Sequence, residues 1–134
     1  VTAERDPFQY AVIRIVPRIE REEFLNAGVI LFCRTRRFLA VRFELDPERL
    51  AALDAGAHAD PLREHLDGLV RVADGDPAAG PIAALPQSER FHWLVAPSST
   101  MIQTSPVHSG LCEDPQATLD HLFARLVARP ATDA

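Results

Sequence analysis

The chain contains no lysine: all fourteen of its basic residues are arginine. Schiff-base chemistry and a P-loop lysine are thereby excluded. Cysteine is scarce too, and its two residues, Cys33 and Cys112, lie too far apart for a CxxC pair or a disulfide framework. Both read as reduced cytosolic thiols, Cys33 as a small core residue. Cys112 is a poor nucleophile, because the flanking Glu113 and Asp114 disfavour its thiolate. No apolar run approaches the ~20 residues that a membrane helix needs, and no basic-then-apolar leader opens the chain, so the expected location is the cytoplasm. A net charge of −5 argues against a general nucleic-acid binder. There is no GxGxxG, Walker or GxSxG motif. His108, Cys112 and His121 fall short of the paired ligand spacing of a zinc site. Neither a metal nor a cofactor is expected.

What is present is an ordinary globular composition. The 134 residues are 47% apolar and 25% charged, enough for one domain with its own core, placed at about 8–128. Residues 8–17 alternate as a strand that Pro17 ends, and residues 24–33 are apolar on both faces, as in a covered central strand. On strict alternation Phe24, Ile30 and Phe32 share one face of that strand, and Leu25, Val29 and Leu31 the other. Gly28 within it signals a bulge or a close backbone approach. A third strand, 38–45, puts Leu39, Val41, Phe43 and Leu45 on one side, and short connections make the three an antiparallel meander.

Asp-Pro pairs at 46–47, 60–61 and 114–115 each set an N-cap carboxylate before a proline at the first helical position. They predict helices over about 47–55, 61–73 and 115–128. Residues 74–89, with three prolines and two glycines, read as a flexible surface loop, and 91–96 and 101–104 as two further strands. The expectation is an α+β domain, order βββααββα, in which three helices pack mainly on one face of a mostly antiparallel sheet of about five strands. The other face of such a sheet needs cover, and a homodimer would supply it.

Arg14, Glu23, Asn26 and Gly28 stand out among the apolar residues of the first two strands. Buried polar side chains cost roughly 1 to 3 kcal/mol unless paired, so the cluster is either a structural network or a site. Arg14 and Arg42 could hold a carboxylate or phosphate bidentately; equally, Arg14 could pair with Glu23 or Glu44 to set strand register. Ser98, Ser99 and Thr100 read as a turn whose hydroxyls bond the backbone. The Arg34-Arg36-Arg37 tip beside Phe38 reads as solvated charge.

The segments YAVIRIVP (10–17), EFLNAGVILFC (23–33), Phe91-His92-Trp93, Ser99-Thr100, QTSPVHSGL (103–111), Asp114-Pro115 and LDHLF (119–123) together resemble the bacterial DUF3037 family, a domain of unknown function. The resemblance covers roughly 8–128. It implies no activity; it implies a small stand-alone protein and, as a partner, a kinase-like protein of the HipA type. The polar motif positions it marks are Arg14, Glu23, Asn26, Ser99, Thr100, Gln103 and His108. The first expectation is a non-catalytic interaction or accessory module. The alternative is an enzyme or binder of a phosphate- or carboxylate-bearing ligand, with Arg14, Asn26, Ser99, Thr100 and Gln103 holding it and His108 and Glu23 as acid or base.

Overall fold

The computed structural model describes residues 4–97 and 100–130. Strands β1 (Asp6–Ile15), β2 (Leu25–Cys33) and β3 (Phe38–Phe43) form the expected antiparallel meander, with β2 between the other two. The free edge of β1 is divided between two short strands. β4 (Ile102–Thr104) pairs with residues 13–15, and β5 (His108–Cys112) pairs with residues 6–10, both antiparallel. Ser105 carries the ladder across the gap: the Val12 N–H donates to Ser105 Oγ at 2.8 Å, and the Ser105 N–H donates to the Val12 carbonyl at 2.8 Å. Ser105 is buried with both of these groups satisfied.

Four α-helices, rather than three, accompany this sheet among the described residues: α1 (Pro47–Leu53), α2 (Ala59–Asp74), α3 (Gln87–Leu94) and α4 (Pro115–Leu126). The element order is therefore βββαααββα. The additional helix, α3, takes the place of the strand expected over 91–96. Phe91 and Leu94 are buried while Trp93 is 45% exposed, and that spacing belongs to a helix, whereas a strand would have paired Phe91 with Trp93. The strand unforeseen in the sequence is β5. It is a short edge strand, mostly exposed, held by its ladder to β1 and lacking the alternation that would betray it.

Asp46 and Asp114 cap α1 and α4 as expected, each accepting two backbone N–H bonds through its carboxylate. Asp60 does not cap α2: the helix begins at Ala59, so Pro61 sits deeper in the first turn, where its N–H would still lack an intrahelical partner. The segment read as a loop over 74–89 contains two 3-10 turns, Pro77–Ala79 and Pro81–Ala84, and buries Ala83. None of the helices among the described residues is long and apolar enough to cross a membrane.

Helices cover both faces of the sheet: three lie on one face, in keeping with the expected bias, and α4 covers the other. On one face α1, α2 and α3 enclose Ile13, Ile15, Ile30, Phe32 and Val41 together with Leu50, Leu66 and Phe91. The Phe32 and Phe91 rings stack there at 5.1 Å. On the other face α4 brings Leu119, Phe123 and Val127 onto Phe8, Val29, Leu31 and Cys33. The argument for a second copy, an uncovered sheet face, therefore loses its premise.

A bulge in β2 decides which residues go where. Ile13 pairs with Gly28 but Arg14 pairs with Asn26, so Ala27 is an extra residue. Alternation reverses across it: Leu25 and Ala27 join Ile30 and Phe32 on the three-helix face, against the assignment by strict alternation, and Phe24 is left 45% exposed. Gly28 sits where backbones crowd. A Cβ there would lie 2.9 Å from the Arg42 carbonyl oxygen and 3.1 Å from Phe43 Cβ, closer than packed atoms tolerate.

Candidate functional site

The bulge sets Arg14 between two amides. Asn26 is its cross-strand partner on β2 and Gln103 its partner on β4, so the three side chains line one row across the sheet on the α4 side. Asn26 donates its amide to the Leu126 carbonyl at 3.1 Å, fastening β2 to the end of α4. Gln103 donates to the Thr100 carbonyl at 2.9 Å, and the Thr100 hydroxyl donates to the Ile102 carbonyl at 2.8 Å. These bonds hold the row in place.

Arg14 itself is half-buried, and its guanidinium carbon lies 4.2 Å from the centroid of the Phe24 ring. Cation and ring attract through the ring quadrupole. The Arg14 Nε is withdrawn from solvent with no hydrogen-bond partner, and among the described residues no carboxylate pairs with this guanidinium. A cation that is partly desolvated and lacks a counter-charge is costly to keep. The structural role proposed for it, an ion pair with Glu23 or Glu44, is not what it does.

The remaining positions separate. Glu23 pairs with Arg21 and lines a crevice with Leu53 of α1. His108 is exposed and packs its ring 5.2 Å from Tyr10, its cross-strand partner. Tyr10 lies four residues before Arg14, about 13 Å along the strand at the usual rise. Arg14 leans the other way, toward Phe24, which adjoins the Ile15–Leu25 pair. His108 and Arg14 thus occupy two separate stations on one face. Thr100 and Gln103 also line a cavity of about 230 Å³ with Trp93 and His65. Ser99 lies outside the described residues.

The other groups singled out in the sequence have structural occupations. Arg42 donates to Asp120 at 2.8 Å and sits 4.1 Å from the Phe123 ring centroid. Arg36 of the basic tip pairs with Asp6. Cys33 and Cys112 are both buried, and burial, with the nearness of Cys33 adding to it, pushes the Cys112 thiol up. Burial, rather than the flanking acids, therefore suppresses its thiolate. Cys112 and His121 line one cavity of about 390 Å³, whereas His108 stands at the opposite end of β5. Among the described residues no three His, Cys, Asp or Glu side chains gather as metal ligands.

Phe24 is the contributor that sequence reasoning missed, having been read as core. Its signal was position: it directly follows the charged run Arg21-Glu22-Glu23, outside the bulge that reverses the alternation.

A family model described as a protein of unknown function, DUF3037, matches residues 10–127. Comparison with curated proteins and with solved structures returned no match.

Proposed function

The chain belongs to the DUF3037 family, whose description names no activity, and on its geometry we propose a non-catalytic binding module that receives an anionic group of a protein partner at Arg14. The observation that carries this reading is the half-buried Arg14 guanidinium, seated on Phe24 without a counter-ion among the described residues. A carboxylate or phosphorylated side chain docking there would supply the missing charge and restore the lost hydrogen bonds. Phe24, with nearly half its surface exposed, supplies apolar contact beside the cation, the pairing of aromatic anchor and arginine common at interface hot spots. Asn26 and Gln103, already tied to backbone carbonyls, hold the surroundings rigid. A rigid surround limits the ordering cost of association.

The partner to test first is the HipA-like kinase. Mixing the two purified proteins at micromolar concentration and following them by size exclusion and calorimetry should show a complex. Arg14→Gln should weaken that complex tenfold or more, since truncating one member of a buried charge pair costs about 2 to 5 kcal/mol. Phe24→Ala should weaken it by a smaller factor. Absence of a complex, or a complex indifferent to both substitutions, would refute the assignment.

A further inference from the structure

On the opposite face, over β1 and β5, α3 stops short of covering the sheet. The rings of Phe91 and Phe32 anchor this helix above β2, and Gln87 fastens its start by donating to the Arg37 carbonyl at 2.9 Å. Of the row Phe32, Gln9, Ser109, which crosses β2, β1 and β5 by direct pairing, Gln9 and Ser109 are left open beside it, while Phe32 is only 6% exposed. Ser88 and His92, one helical turn apart on α3, form the facing wall. Arg34, immediately after β2, also lines the gap. The result is a cavity of about 360 Å³, a size typical of small-molecule sites.

The lining is one-sided chemically. Arg34, His92, Ser88, Ser109 and Gln9 all offer donors, and no carboxylate is among the lining residues. Among the described residues none of these five side chains makes a hydrogen bond or ion pair within the protein. This is unlike the surroundings of Arg14, where both flanking amides are engaged. Pro7, Phe8 and Phe32 supply its apolar lining. We infer that this cavity binds a small phosphate monoester carrying a flat apolar group, with the phosphoryl oxygens toward Arg34, His92 and the two serines and the apolar group against that lining. The three terminal oxygens of a phosphoryl group match this donor set better than the two of a carboxylate. The inference is independent of the Arg14 reading, since the two sites lie on different faces and share no residue.

The test is an NMR titration of the isotope-labelled full chain with phenyl phosphate, inorganic phosphate and benzoate in parallel. Phenyl phosphate should produce saturable shifts at the amides of Gln9, Arg34, Ser88, His92 and Ser109, and should bind about tenfold tighter than inorganic phosphate because of its ring. Arg34→Gln should weaken it about tenfold or more while leaving the melting temperature unchanged, and Ser109→Ala should weaken it by a smaller factor. Arg125→Gln, which removes the same charge from α4, should leave affinity unchanged. No shift at these amides at low-millimolar phenyl phosphate, equal weakening by Arg34→Gln and Arg125→Gln, or benzoate binding as tightly as phenyl phosphate would each overturn the inference.

Discussion

Arg14 and Arg42 stand on the same side of the sheet, each with its guanidinium about one ring thickness above a phenylalanine, at 4.2 and 4.1 Å. Arg42 completes the arrangement internally, donating to Asp120 at 2.8 Å. Among the described residues Arg14 has the ring without the acid, and its Nε is shut away from water. The protein thus contains its own control for what a settled arginine looks like on this surface. The contrast teaches that stacking on a ring is not enough to account for Arg14: in one corner the fold supplies the counter-charge, and in the other none of the described residues does.

The comparison can be broken most forcefully at the bulge. Gly28→Ala would press a methyl group against the Arg42 carbonyl and Phe43, and because both strands are buried the clash should destabilise the chain by about 1 to 3 kcal/mol in denaturant titrations. It would also disturb the register that places Arg14 opposite Asn26. An unchanged midpoint would mean that the bulge is pliable and that the position of Arg14 is not imposed by it.

The next test separates the two arginines directly. Arg42→Gln removes an exposed ion pair and a ring contact and should lower stability by about 1 kcal/mol. Arg14→Gln, measured without any partner, should leave stability unchanged or raise it, because the group removed is a partly desolvated cation with no counter-ion among the described residues. Thermal melts of the two variants side by side decide the matter. A loss for Arg14→Gln as large as for Arg42→Gln would make Arg14 a structural residue.

A third guanidinium sharpens the contrast at the smallest amplitude. Arg129 donates to Asp46 and, at 3.2 Å, to Glu48, and holds the Asp46 carboxyl below its ordinary value of about 3.8. A carboxyl whose pKa is depressed on folding contributes stability that is complete above its unfolded-state value and is lost as the pH falls through its folded-state value. Melting temperature should therefore drop as the pH is lowered below about 4. Asp46→Asn keeps a competent helix cap but loses the charge partner, so it should start lower at neutral pH and respond less to acid in that window. Parallel acid profiles for the two chains would expose the error.

Much of the architecture was readable because it rests on local chemistry. The meander followed from apolar runs separated by short polar connections, and α1 and α4 from aspartate-proline caps that satisfy free N–H groups at a helix start. Where the reading failed, the deciding interaction was distant. FHWLVA has no local preference strong enough to exclude a strand; the stacking of Phe91 on Phe32, fifty-nine residues earlier, fixes it as a helix. HSGLC has no buried face of its own and becomes a strand only because β1 presents unpaired backbone groups beside it.

The site divided along the same line. Arg14 and Asn26 stood out as polar residues in apolar surroundings and Gln103 as a polar position of the family motif, and the ladder does bring the three into one row. Glu23 stood out beside Arg14 and His108 through the family motif, yet one turned to Arg21 and α1 and the other to Tyr10. Residue type announces that a side chain will need a partner; it does not announce which one.

The sequence alone determined the class of domain, the identity of its central strand and the unusual polar residues near its start, since each depends on patterns repeated within a few residues. Only the tertiary structure decided that helices cover both faces of the sheet, that one extra residue at Ala27 turns Phe24 outward beneath Arg14, and that among the described residues no acid pairs with that arginine. Those outcomes depend on register and on contacts between elements remote in the chain, where a shift of one residue exchanges the inside of a strand for its outside.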